Sequence, residues 1–264
     1  MTWVIAALSL DYGTLFGDTR ISYVESGRLH EVKEFGVQKI HAVAPNMIVG
    51  FAGPIVNGFR LVDSLRSYVD NLPHQLHEPR SIAEGWFNHI NGTELSRSDC
   101  DMLLIGMSPN LGTTTDGHTL PWHPMYGARF EFGDKSRIDA IKLHDSIGSG
   151  SVVPDYVKAI EEFVVNAMTR ILRFGPERSR ITHTLLSLVL AESVNRTPTT
   201  GVNAFFVGAV LSIAGVVIRT NEGLSVGEKL VKVGEIPLAT DAAQLEQLSK
   251  DHLAGATELV ALEG

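Results

Sequence analysis

Hydrophobic and polar positions divide this chain into short runs, and the period of each run sets the element it predicts. Residues 3–10 are apolar and β-prone. Asp11-Tyr12-Gly13 carries a turn signal and residues 14–22 resume as a strand, so the chain is expected to open with a hairpin. A turn around Glu25-Ser26-Gly27 leads into a polar, strand-like stretch. Residues 36–44 and 47–52 read as another strand pair, joined at Ala44-Pro45-Asn46. Gly53 closes that pair, and Pro54 suits the first turn of a helix. Ile55, Phe59, Val62, Leu65 and Val69 then recur at helical spacing over 55–70.

A shorter helix is expected over 81–90. Three β stretches follow at 102–107, 128–132 and 138–143, with a Gly/Thr/His/Pro-rich loop from about 108 to 124 between the first two. Gly148-Ser149-Gly150-Ser151 separates this region from two helices, at about 154–173 and 178–194. The first carries Val157, Ile160, Phe163, Val164 and Met168 on one face. Strands return at 202–207 and 216–218, and a last helix is expected over 240–254. Strands, a helix pair, strands, a helix pair and strands again predict an α+β protein, with helices on both outer faces of packed antiparallel sheets. No internal repeat or linker divides the chain.

Composition narrows the function classes. Of 264 residues, 44% are apolar, 7% aromatic and 20% charged, which suits a soluble globular protein with ample apolar mass for a core. Twenty-two basic residues against 30 acidic ones give a formal net charge of −8. That balance argues against a general nucleic-acid partner, which needs a basic face to displace counterions. Cys100 is the single cysteine, so neither an intrachain disulfide nor a multi-cysteine zinc site is available. No apolar run is long enough to span a membrane, and the apolar N-terminus lacks a basic leader and meets Asp11 early. The expectation is a cytoplasmic protein with no membrane partner and no cofactor.

Candidate chemistry is sparse. His74 and His77, three apart and beside Glu78, could offer a two-ligand metal step, but Pro73 and Pro79 bracket them in a polar loop, and a solvated loop is the simpler reading. His118 and His123 read the same way. No GxSxG elbow, Walker loop or dinucleotide fingerprint is present. The N-terminus is more informative. Thr2 follows Met1, and aminopeptidases generally remove Met ahead of a small residue such as Thr. The mature chain would then begin with a residue that carries both a hydroxyl and an α-amino group. Such an amine has a pKa near about 7.7–8.0 and can take the hydroxyl proton directly or through water.

The spacing downstream of Thr2 adds to this. Asp18 lies sixteen residues on, in Gly17-Asp18-Thr19-Arg20-Ile21-Ser22; Lys39 opens Lys39-Ile40-His41; Gly53 follows Lys39 by fourteen; and Gly148-Ser149-Gly150 precedes a helix. This order resembles the proteasome β-subunit and HslV family of N-terminal nucleophile hydrolases, over roughly residues 2–210 and most tightly in 2–59 and 146–152. The resemblance implies a four-layer αββα sandwich of two antiparallel sheets over 2–220, with 221–264 as a C-terminal extension of unknown role. It implies a threonine endopeptidase in which Thr2 attacks a peptide carbonyl and forms an acyl-enzyme. Lys39 would favour the alkoxide and depress nearby amine pKa values, Asp18 would hold Lys39, and Ser149 would hydrogen-bond the Thr2 amine. The Gly53 N–H would bind the oxyanion, and Ser22 would align the substrate main chain as an added strand. Ile21, Val37, Phe51 and Ile55 would line an apolar side-chain pocket. Homo-oligomeric rings taking peptide or protein substrates are implied as well, with an ATPase feeder left open.

The chain also departs from that pattern. The family carries an Asp three residues before a Ser-Gly pair; here Thr200-Gly201 stands for the pair and Thr197 occupies the Asp position, with Asn195 as the nearest polar substitute. Trp3 is bulky where the family often has a small residue, and the Asp18–Lys39 gap is a few residues longer than usual. Two alternatives therefore stand beside the peptidase: an inactive proteasome-like assembly subunit, and an N-terminal nucleophile amidase acting on small amides.

Overall fold

The computed structural model describes residues 2–25, 28–32, 34–73, 77–171, 177–199, 201–220 and 237–252. Strands β1 (Trp3–Leu8), β2 (Tyr12–Asp18), β3 (Ile21–Glu25), β4 (Arg28–Val32), β5 (Gly36–Val37), β6 (Ile40–Ala44) and β7 (Met47–Ala52) fill the first fifth of the chain. Helices α1 (Ile55–Asp70) and α2 (Pro79–Ile90) come next, then β8 (Asp101–Met107), β9 (Met125–Glu131), β10 (Arg137–Ala140) and β11 (His144–Gly148). Helix α3 (Pro154–Glu162) runs through a π-helical stretch, Phe163–Met168, into α4 (Thr169–Ile171). The chain continues as α5 (Arg178–Arg196), β12 (Phe206–Ser212), β13 (Gly215–Thr220), β14 (Leu238–Ala239) and α6 (Ala242–His252).

Two five-stranded antiparallel sheets result, in the orders β11-β1-β2-β12-β13 and β10-β9-β8-β7-β6. Side chains alternate across each strand, so each sheet has an inner and an outer apolar face. Val4, Ala6, Leu15, Val207 and Ala209 of the first sheet meet Ile40, Ile48, Leu103 and Ile105 of the second. The outer face of the first sheet, with Trp3, Ile5, Tyr12 and Phe16, is covered by Tyr156, Ile160, Leu186, Leu190 and Val194 from α3 and α5. The outer face of the second, with Met47, Val49, Phe51, Met102 and Phe130, packs on Phe59, Val62 and Leu65 of α1 and Ile82 and Trp86 of α2. The molecule is thus an α+β sandwich with helices on both flanks. Both faces of the central strands are dry, which is why β1 and β7 read as unbroken apolar runs rather than alternating ones.

Three stretches differ from the sequence expectation. The β stretch expected at 138–143 ends at Ala140, and β11 crosses to the other sheet at His144–Gly148. It is an edge strand with only Ile147 buried, so its polar composition hides it. The strand expected at 202–207 begins at Phe206, because Val202–Phe205 forms a loop whose Asn203 bonds Thr19. Residues 237–252, within the segment read as an extension, join the core. β14 pairs in parallel with β5, and Ala239 and Leu245 enter the α1 cluster. Asp241 caps α6 by accepting the Gln244 N–H at 2.8 Å. No described helix is long and apolar enough to cross a membrane.

Candidate active site

Antiparallel topology brings distant residues to one end of the sandwich. β1 starts where β2 and β11 finish: Val4 pairs with Gly17, and Trp3 with Gly148. Thr2, Asp18 and Ser149 are therefore neighbours although 147 residues separate the outermost two. Lys39 comes from the other sheet. It sits just ahead of β6, and its carbonyl accepts the Phe51 N–H from the end of β7.

The Asp18 carboxylate is the hub. Its Oδ1 accepts from the Thr2 hydroxyl at 2.9 Å, the Trp3 N–H at 2.8 Å and the Lys39 Nζ at 3.0 Å. Its Oδ2 accepts the Arg20 N–H at 3.2 Å. Lys39 Nζ also donates to the Arg20 carbonyl at 2.8 Å. Asp18 is 0% exposed, Lys39 2% and Thr2 5%. Burying opposite charges this deeply is tolerable only when the lone pairs and protons are satisfied, as they are here.

Ser149 closes the cluster from the β11 side. Its hydroxyl accepts the Thr2 N–H at 3.1 Å and donates to the Thr2 carbonyl at 3.1 Å, while the Gly150 N–H adds a second bond to that carbonyl at 3.3 Å. Gly148 allows the approach. Its φ is +83°, and a Cβ there would stand 2.4 Å from the Thr2 carbonyl oxygen. While residue 1 is attached, the Thr2 nitrogen is an amide, able to donate to Ser149 but not to take a proton.

Gly53 is exposed at the end of β7 with φ +126°, a conformation that favours glycine, and a Cβ there would press on the Asp99 carbonyl at 2.8 Å. Ser22 is buried, and its hydroxyl makes no hydrogen bond among the described residues. Ile21, Val37, Phe51 and Ile55 share one apolar cluster. The first three are 0% exposed and Ile55 is 5%. The Phe51 ring lies against Gly58 and packs edge-on to Phe59, so it points into α1. In this conformation these four side chains form closed core, with Ala239 and Leu245 completing it.

Trp3 avoids the cluster. Its ring lies in the helix layer, stacked on Tyr156 at 4.5 Å, and Gly150 gives it room. Thr197 turns elsewhere: its hydroxyl donates to Asp155 at 2.7 Å. Thr200 lies outside the described residues, as does His74. Among the described residues, no group of three or more His, Cys, Asp or Glu stands close enough together to hold a metal. Two cavities lie apart from the cluster. One of about 580 Å³ sits at the far end of β1, between Leu8, Trp122 and Met168; one of about 610 Å³ lies between α1 and Leu95–Arg97. None of Thr2, Asp18, Lys39, Gly53 and Ser149 lines either.

Spacing alone does not point to the supports around Arg20. Glu31 Oε1 pairs with Arg20 at 2.7 Å and accepts the Gly201 N–H at 3.0 Å. Thr19 N–H donates to the Phe205 carbonyl at 3.1 Å. The only sequence signal for Glu31 was its place in a polar, strand-like stretch. Comparison with known protein families and with curated proteins finds no match to this chain.

Proposed function

We propose that this protein is a threonine-type N-terminal nucleophile hydrolase that cleaves peptide bonds. The observation that carries the reading is the buried convergence of the Thr2 hydroxyl, Asp18 and Lys39, with Ser149 on the Thr2 nitrogen. Removal of Met1 converts that nitrogen from an amide into an amine with a free electron pair. The amine takes the hydroxyl proton, and Oγ1 attacks the substrate carbonyl. The Lys39 ammonium, held by Asp18, favours the developing negative charge on Oγ1. Gly53 N–H receives the tetrahedral oxyanion. The amine returns its proton to the leaving nitrogen, the C–N bond breaks, and the acyl group stays on Thr2 as an ester. Water activated by the same amine then hydrolyses the ester.

The test joins intact mass with active-site labelling. The mature chain should lack Met1 and should gain one equivalent of an epoxyketone or β-lactone probe on Thr2, and Thr2→Ala should abolish both labelling and peptide hydrolysis without unfolding. A quantitatively retained Met1, or a mature N-terminal Thr2 that no probe labels, overturns the reading. An alternative that keeps the nucleophile but changes the substrate, hydrolysis of small amides, draws support from the complete burial of Ile21, Val37 and Phe51, which form core and not an open side-chain pocket in this conformation. Parallel assays of peptides and small amides separate the two. The ring-shaped homo-oligomer belongs to the same proposal and is checked by analytical ultracentrifugation.

A further inference from the structure

The buried ion pair leans on one dipeptide. Arg20 gives its N–H to Asp18 Oδ2 and its carbonyl to Lys39 Nζ, so its main chain touches both charges. Thr19, just before it, is fixed by the Phe205 carbonyl, by Asn203, and by the Val37 N–H on its own carbonyl. What anchors Arg20 from outside is Glu31 on β4. One oxygen, Oε1, takes the Arg20 guanidinium at 2.7 Å and the Gly201 N–H at 3.0 Å. Glu31 and Arg20 are only 25% and 28% exposed at their side chains. A solvated ion pair contributes little on its own. This one differs because the same oxygen also ties down a main-chain N–H from a third segment. It therefore joins β4, the Arg20 turn and the loop after α5.

We propose that Glu31 is a positioning residue for the Thr2 site, acting through Arg20 on the orientation of Asp18 and Lys39. It supplies from β4 a carboxylate for the loop where Thr197 offers none. The inference rests on the hydrolase reading for its kinetic consequence, but its structural part is independent. Glu31→Ala frees the Arg20 side chain and the Gly201 N–H together. A misplacement of about 1 Å costs on the order of a hundredfold in rate when geometry is what catalysis uses.

In chains with Met1 removed, Glu31→Ala should lower kcat by about 10- to 100-fold while KM changes less than about threefold. Glu31→Gln keeps an oxygen for Gly201 and should recover part of the loss. Arg20→Ala breaks the Arg20–Glu31 contact but keeps the Glu31–Gly201 bond, so it should lose activity in the same direction and no more than Glu31→Ala. The double variant should be no worse than Glu31→Ala, because the two residues share the Arg20 link. Unchanged kcat, or losses that multiply in the double variant, overturns the proposal. If Glu31→Ala fails to fold, Glu31→Gln and Arg20→Ala carry the same comparison. Hydrogen exchange separates this inference from the hydrolase reading. The Arg20 amide, bonded to buried Asp18, should exchange at least about tenfold faster in Glu31→Ala. A wild-type protein that no probe labels removes the hydrolase reading, and Arg20 exchange then decides Glu31 alone. Equal exchange in variant and wild type refutes the positioning role whatever the activity.

Discussion

At the residue scale, the Asp18–Lys39 pair makes the sharpest claim. Each charge is buried and each relies on the other. Lys39→Met leaves Asp18 without its cation in a dry site and should cost about 3–5 kcal/mol of unfolding free energy, read from urea denaturation. A loss below about 1 kcal/mol would mean that the carboxylate is taking a proton or reaching water. Gly150 makes a second claim. A Cβ there would lie 2.3 Å from Cγ of Trp3, so Gly150→Ala must displace either the indole or the Ser149–Gly150 turn that holds the Thr2 carbonyl. The expected cost is about 1–3 kcal/mol, with a drop in probe labelling at Thr2. Wild-type stability and labelling would show that the ring can slide. These residues were legible in the sequence because Thr2, Asp18 and Lys39 lie within forty positions at the ends of strands β1, β2 and β6, where spacing translates into place. Glu31 was not legible: it is a carboxylate in a polar strand, and only the folded chain shows which nitrogen it faces. The pocket residues Ile21, Val37, Phe51 and Ile55 carry apolar character that a core and a binding wall share, and here they are closed.

At the element scale, helices with a clear 3.6-residue stripe were readable to within a few residues. Helix α1 occupies 55–70, the span its apolar spacing predicts. Elements defined by their partners were not. β11 is half polar and is held by pairing with β1. β5 and β14 are two residues each and exist only as a pair. Helix α6 was visible, but its docking was not, because nothing in its own sequence names α1 as its cover. That docking is testable. Leu245 is 3% exposed in the α1 cluster, so Leu245→Ala should cost about 2–5 kcal/mol. A change within about 0.5 kcal/mol would mean that α6 rests on the surface without contributing to the core.

At the scale of the whole molecule, two buried histidines couple stability to pH. His41 lies between β6 and α1 beside Phe51 and Phe59, and burial, with Arg66 nearby, holds its pKa down to about 4. His183 of α5 stacks on Phe16, and burial, with Arg219 nearby, lowers it to about 4 as well. Its Nδ1 lies 3.2 Å from the Thr14 hydroxyl, which donates to Ala209, so Nδ1 carries the proton of the neutral ring. Both rings are neutral in the folded state, whereas an unfolded histidine titrates near about 6.5. Below that pH the unfolded chain binds more protons. Stability is thus complete above about 6.5 and falls as pH drops toward 4, with a slope of up to about 2.7 kcal/mol per pH unit for the two groups together. Urea unfolding at several pH values checks this. His183→Gln should roughly halve the slope, which separates the histidines from the carboxylates, and an unaltered slope would count against His183.

The pairing of β14 with β5 also has a consequence in time. The partners are about two hundred residues apart, and ribosomes add roughly 5–20 residues per second. Gly36 and Val37 therefore wait on the order of 10–40 s for the strand that covers them, with their edge and the apolar side chains behind it unshielded. During that interval the nascent chain is most exposed to chaperones, and to mispairing with another copy of itself.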